Sequence, residues 1–152
     1  MKCLHNVIIT VFEKDKDREE QVIKTLHDLI PFDWKQEKIQ LKQENAKGIE
    51  GDHISIFRVR LEKQRHLRTG VDHLKDRLGP AQVNRLNKEK VSRLDGTLHF
   101  YLRLDKKELE DGNYVLTDSG DCYHIRMSIA AYPKSMSAGL RVIDGLFPGQ
   151  KA

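Results

Sequence analysis

Three stretches of this chain alternate apolar and polar residues with a period of two. Over His53–Leu61, the residues Ser55, Phe57, Val59 and Leu61 fall on one face, and Ile54, Ile56, Arg58 and Arg60 on the other. Over residues 97–104, Leu98, Phe100, Leu102 and Leu104 oppose His99, Tyr101 and Arg103. Over residues 122–132, Ile125, Met127, Ile129 and Ala131 oppose His124 and Arg126, with Tyr132 on the polar side. Successive side chains of a strand point to opposite faces, so this pattern predicts a sheet buried on one side and open on the other.

The rest of the chain supplies a covering layer. Val7-Ile8-Ile9-Thr10-Val11 makes residues 4–12 a largely buried strand. Asp17, with Glu20 three residues on, predicts a capped helix over residues 18–30 with Val22, Ile23, Leu26, Leu29 and Ile30 on one face, ended by Pro31. Residues 34–45, in which Trp34, Ile39 and Leu41 alternate loosely with Lys, Gln and Glu, read as an exposed strand, and residues 46–52 as a loop. Gln64–Leu78 is amphipathic through Leu67, Val71, Leu74 and Leu78, and Gly79-Pro80 stops it. A shorter helix from Pro80 carries Val83, Leu86, Val91 and Leu94. Residues 105–121 form a connector with one helical turn, and a last helix over residues 135–147 presents Met136, Leu140, Ile143 and Phe147. The predicted order is β-α-β-β-α-α-β-β-α. It describes one α+β domain over residues 1–152, a mainly antiparallel sheet with helices packed on one face.

Charge says more about partners than about fold. Residues 58–93 carry eleven Lys/Arg against four acids, +7 in a chain whose total is only +4. An uneven distribution of this kind fits a polyanionic partner, of which nucleic acid is the commonest. No apolar run is long enough for a membrane span, and the N-terminal residues lead directly into a strand without a targeting pattern. Two cysteines far apart, Cys3 and Cys122, fit reduced thiols and a cytoplasmic setting.

If the apolar strand faces all point to the helices, Arg58, Arg60, His99, Tyr101, Arg103, His124, Arg126 and Tyr132 share the open face. Cations pair with phosphate and aromatic rings stack on unpaired bases, so that mixture suits RNA. Arg65 and Arg68 add a basic helix surface, with Arg68 four residues before Asp72 as an ion pair. Arg85, Lys88, Lys90 and Arg93 stand against Glu89 alone and are the expected phosphate contacts. Seven scattered histidines give no metal-binding spacing, and no phosphate loop, catalytic triad or cofactor motif is present. Asp105-Lys106 reads as an exposed dipeptide starting a turn.

Two stretches, 96–106 (Gly-Thr-Leu-His-Phe-Tyr-Leu-Arg-Leu-Asp-Lys) and 124–133 (His-Ile-Arg-Met-Ser-Ile-Ala-Ala-Tyr-Pro), together with His5-Asn6-Val7-Ile8-Ile9 and Leu29-Ile30-Pro31, resemble a family of small archaeal proteins. These are predicted exosome-associated RNA-binding proteins, similar in fold to the ribosomal protein that binds 5S rRNA. The resemblance implies an α+β domain, an archaeal cytoplasmic setting and RNA as partner, and the family carries no associated catalytic motif; the expected protein is therefore not an enzyme, has no cofactor, and meets RNA and proteins of an RNA-processing complex. The acidic run after Lys106, residues 107–111, departs from the smaller, more neutral residues expected there. The rival expectation is a protein-interaction module, a homodimer or assembly scaffold, in which the open face meets protein and the basic stretch serves solubility.

Overall fold

A computed structural model describes residues 2–149 of the chain; Met1 and residues 150–152, the ends of the expected single unit, lie outside the described residues. Five strands form one sheet in the spatial order β2-β3-β1-β5-β4, from Leu41–Lys47 (β2), His53–Leu61 (β3), Leu4–Glu13 (β1), Cys122–Ile129 (β5) and His99–Asp105 (β4). Every neighbouring pair is antiparallel. Helices Glu19–Leu29 (α1), Trp34–Glu37 (α2), Gln64–Leu78 (α3), Pro80–Lys88 (α4), Lys90–Arg93 (α5), Lys106–Glu110 (α6) and Met136–Leu146 (α7) complete the chain. The expected α+β class and the single helical layer are both present.

The period-two pattern decides which face is covered. Val7, Ile9 and Val11 of β1, Phe57 and Val59 of β3, Phe100, Leu102 and Leu104 of β4, and Ile125 and Met127 of β5 are all buried in one core. Val22, Leu26 and Leu29 of α1, the stripe Leu67, Val71, Leu74 and Leu78 of α3, and Ile143 of α7 close over them. Phe147 stacks on Phe100 with ring centroids 5.7 Å apart. Gly139 lets α7 sit close, because a Cβ there would come within 3.1 Å of the Leu94 and Leu98 methyls.

Several local expectations give way to tertiary context. Residues 34–45 are not one strand. Trp34 opens α2 and is buried, its indole N–H donating to the Ile30 carbonyl at 3.0 Å and its ring stacked on His27, so the strand starts only at Leu41. Asp17 does not cap α1. Asp15 accepts from the Asp17 N–H at 2.9 Å to begin a 3-10 turn over Lys16–Arg18, and α1 follows without a side-chain cap. The helix from Pro80 breaks at Glu89, leaving Val91 exposed. Asp72 pairs with Lys75 at 3.7 Å, and among the described residues Arg68 forms no ion pair with a carboxylate. Met136 lies at the exposed start of α7 rather than on its buried stripe, and Ser135 caps that helix through the Ala138 N–H at 3.2 Å.

Phe100 is fully buried against Phe147. Phe100→Ala is expected to lower unfolding stability by about 3–5 kcal/mol, read from urea denaturation. A loss below about 1 kcal/mol would mean that the contact between sheet and last helix is not a principal anchor.

Candidate nucleic-acid interface

The strand registers place the polar side chains of the uncovered face in two adjacent rows. The first runs Lys42, Arg58, Thr10, His124 and Arg103 across β2, β3, β1, β5 and β4. The second runs Arg60, Ile8, Arg126 and Tyr101 across β3, β1, β5 and β4. Arg58, Arg60, Tyr101, Arg103 and Arg126 therefore share one surface, as the alternation predicts. Three aromatic rings interleave with the cations: Tyr101 lies 5.6 Å from His124 and 6.5 Å from His99 between centroids. Burial, then the charges of Arg103 and Arg126, lower the His124 pKa, so this imidazole is neutral at pH 7. Ile8 is only 8% exposed on this face, between Arg60 and Arg126.

Asp95 fixes one end of the surface. Its Oδ1 accepts from the Thr97 N–H at 3.0 Å, the Thr97 hydroxyl at 2.8 Å and the His99 N–H at 2.9 Å, and its Oδ2 accepts from the Tyr101 hydroxyl at 2.9 Å. The turn forces Leu98 to a φ of 61°, an uncommon value for a branched side chain, and buries it. Leu98 is thus outside the strand, which begins at His99. Partial burial acts to raise the Asp95 carboxyl, but the bonds from His99, Thr97 and Tyr101 override it and hold its pKa at about 2.

Charge compensation separates the expected contact residues into two groups. Arg65 forks onto Glu37, one bond measuring 2.6 Å. Glu89 takes Arg85 Nε at 3.1 Å and Arg93 Nη2 at 2.7 Å, while Lys90 pairs with Asp144. Arg93 also donates to the Tyr101 carbonyl at 3.2 Å and so caps the outer edge of β4. The adjoining edge groups bond to Val115 and Thr117, with Asp105 N–H to Val115 at 2.8 Å and Thr117 N–H to Arg103 at 3.0 Å. Arg65 and Arg68 belong to α3, whose apolar stripe packs on the covered side of the sheet.

On the open face, Arg58 has Glu44 only at 3.9 Å and Arg60 has Glu62, both pairs exposed. Arg103 donates to the Asp118 carbonyl at 3.1 Å. Arg126 is half-buried, its Nε has no hydrogen-bond partner, and among the described residues neither it nor Arg103 forms an ion pair with a carboxylate. Lys88 is exposed on the helical side, also without such a pair.

A family model described as RNA binding matches residues 6–130. The chain belongs to that RNA-binding family. It is 22% identical over 146 residues to the RNA-binding protein PAB1135 of Pyrococcus abyssi, covering 96% of this chain and 95% of that one. Its fold is similar to the solved structure of Mth689, a DUF54 protein from Methanothermobacter thermautotrophicus (25% identity, TM-score 0.78, 96% of this chain and 99% of that one). It is also similar to AF2318 from Archaeoglobus fulgidus (21% identity, TM-score 0.83, 94% and 99%). These relatives are archaeal proteins.

Two features of this family member escape its sequence pattern. Lys106 is not exposed: it reaches Glu13 at 2.6 Å with both side chains buried. Burial alone would raise the Glu13 carboxyl, but Lys106 and the N–H groups of Asp15 and Lys14 hold its pKa below the usual value. Asp105 caps α6 through the Glu108 N–H at 2.9 Å. Phe12 is 52% exposed on β1, although its run of apolar neighbours reads as buried. No group of three or more His, Cys, Asp or Glu among the described residues could hold a metal. Nor is any described helix long and apolar enough to cross a membrane.

The Asp95 pKa is depressed on folding, so its contribution to stability is complete above about 3.8 and disappears as pH falls towards about 2. Urea midpoints measured between pH 5 and pH 2 are expected to fall less steeply for Asp95→Asn than for the unaltered chain. Coincident slopes would show that the carboxylate does not clasp the start of β4.

Proposed function

We propose that this protein binds RNA through the open face of its sheet and performs no chemistry on it. Arg126 carries the reading. A guanidinium half-buried on an inner strand of the sheet face, beside Tyr101, with an unpaired Nε and no carboxylate partner, lacks the anion that would complete it. Arg103, Lys42, Arg58 and Arg60 extend that positive surface along the two rows, and the rings of Tyr101 and His124 lie between them. Membership of the RNA-binding family supplies the polyanion. On this reading Arg65, Arg85, Lys90 and Arg93 chiefly hold helices and the β4 edge together, while Arg68 and Lys88 remain for secondary phosphate contact.

The resemblance to exosome-associated proteins and to the ribosomal protein that binds 5S rRNA supports a place in archaeal RNA processing, in the cytoplasm. Affinity purification of a tagged chain, with and without ribonuclease, tests that placement. Partners lost with the RNA were held by it; partners retained point to direct protein contact or self-association.

Arg126→Ala and Arg103→Ala are each expected to weaken RNA binding about tenfold. Each should also reduce the magnitude of the slope of log K against log salt by about 0.7–0.9. Arg65→Ala and Lys90→Ala should change the slope little. An unchanged affinity and slope in both sheet-face variants would remove the open face as the RNA surface.

A further inference from the structure

We propose that a cavity at the β2 side of this face receives one unpaired base of a single-stranded RNA, an inference that rests on the RNA reading above. β2 begins at Leu41, opposite Val59, so Arg60 and Leu61 run past its end. There the segment following α2 closes the sheet in place of a strand, leaving a cavity of about 470 Å³. That volume lies within the ~300–1,000 Å³ of ordinary ligand sites. Ile8, Ile39 and Leu61 give it apolar walls.

Cations line the same space. Lys42 and Arg58 come from the first row of the open face and Arg60 from the second, with Lys38 and Lys63 beside them. Its two acids are engaged, Glu37 by Arg65 and Glu62 by Arg60, so among the described residues the lining cations without a carboxylate partner are Lys38, Lys42 and Lys63. The wall is held in place. Lys38 adopts the left-handed conformation (φ 58°) that ends α2, and the Ile39 N–H donates to the Trp34 carbonyl at 2.9 Å.

His66 backs the cavity wall, its ring packed on Phe32 with centroids 4.6 Å apart. His66 is 3% exposed, and its Nε2 has no hydrogen-bond partner; Glu37 Oε2 stands 3.8 Å away, beyond bonding reach. Burial and the neighbouring Arg65 charge lower its pKa, leaving the ring neutral at pH 7. Apolar walls ringed by cations call for an occupant that is mostly apolar and attached to negative charge. A nucleotide has that composition. A bare phosphate gains nothing from Ile8, Ile39 and Leu61, and a base inside a duplex is stacked on both faces and paired along one edge and cannot enter.

The test uses the unaltered full chain and three RNA probes of equal length: a single strand, the same strand with abasic positions, and its duplex. The intact single strand is expected to bind at least about tenfold more tightly than the duplex at one salt concentration, and abasic substitution should cost about tenfold. Ile39→Trp, which fills the cavity, should bring single-strand affinity down to the duplex level without changing the salt slope. If that variant fails to fold, Ile39→Ala, which removes one apolar wall, should weaken the intact single strand several-fold and leave the abasic strand and the duplex unchanged; single-strand affinity indifferent to Ile39→Ala would overturn the cavity. Equal binding of all three probes, with Arg126→Ala still weakening each, would overturn the base pocket and leave the sheet-face reading standing. Adenosine monophosphate binding more tightly than the strand would overturn it in favour of a free-nucleotide site. Absence of binding to every RNA would remove the parent reading as well.

Discussion

The whole molecule depends on burying one face, and only one, of a five-stranded antiparallel sheet. Every helix that contributes to the core does so on the side of Val7, Phe57, Phe100 and Ile125, and that burial is the main favourable term in folding. The consequence for function is geometric. Because side chains alternate strictly along each strand, the burial that fixes Phe57, Val59, Leu102 and Ile125 also fixes Arg58, Arg103 and Arg126 on the opposite face, in register across the sheet. A slip of one residue would exchange the two sets, so the stability of the core and the arrangement of the cationic rows are one constraint.

Net charge along the chain does not measure charge available to a ligand. The stretch from Arg58 to Arg93 is strongly positive in sequence, yet Arg65, Arg85, Lys90 and Arg93 find carboxylates on folding, two of them outside the stretch, at Glu37 and Asp144. Sequence distance conceals those partners. Arg126 lies outside the stretch and has no such partner. The cations best placed to hold an external phosphate are those that the fold leaves uncompensated on a surface already rigid, since little further ordering is needed when the ligand arrives.

The strand faces were legible because their signal is local: Leu98, Phe100, Leu102 and Leu104 repeat every second residue, and only Leu98 falls outside the strand when the Asp95 clasp bends the backbone there. Trp34 was misleading for the opposite reason. Its burial depends on the Ile30 carbonyl and the His27 ring, contacts made by a turn and helix end that no alternation encodes. Lys106 is similar, since Glu13 is 93 residues away in sequence and the pair exists only once β1 and α6 have met. The open-face cations could be read from the alternation; the base cavity could not. It arises where β2 stops short of β3, a boundary set by α2 and the left-handed Lys38.

The two edges of the sheet support assigning the partner to its face. At β4 the carbonyl of Tyr101 is taken by Arg93, and neighbouring backbone groups by Val115 and Thr117, so little pairing capacity remains. At β2 the strand carries Lys42, Glu44 and Lys47, charges that discourage addition of another strand. With one edge occupied and the other guarded by charge, extension of the sheet by a second chain is disfavoured, which supports the proposed use of the open face between them. That surface combines the guanidinium groups of Arg103 and Arg126, which have no carboxylate partner among the described residues, with aromatic rings. A protein partner would have to bring carboxylates into register with both rows, whereas a polynucleotide brings a regular series of phosphates and bases together, which is why the face is better matched to RNA than to a second copy of this chain.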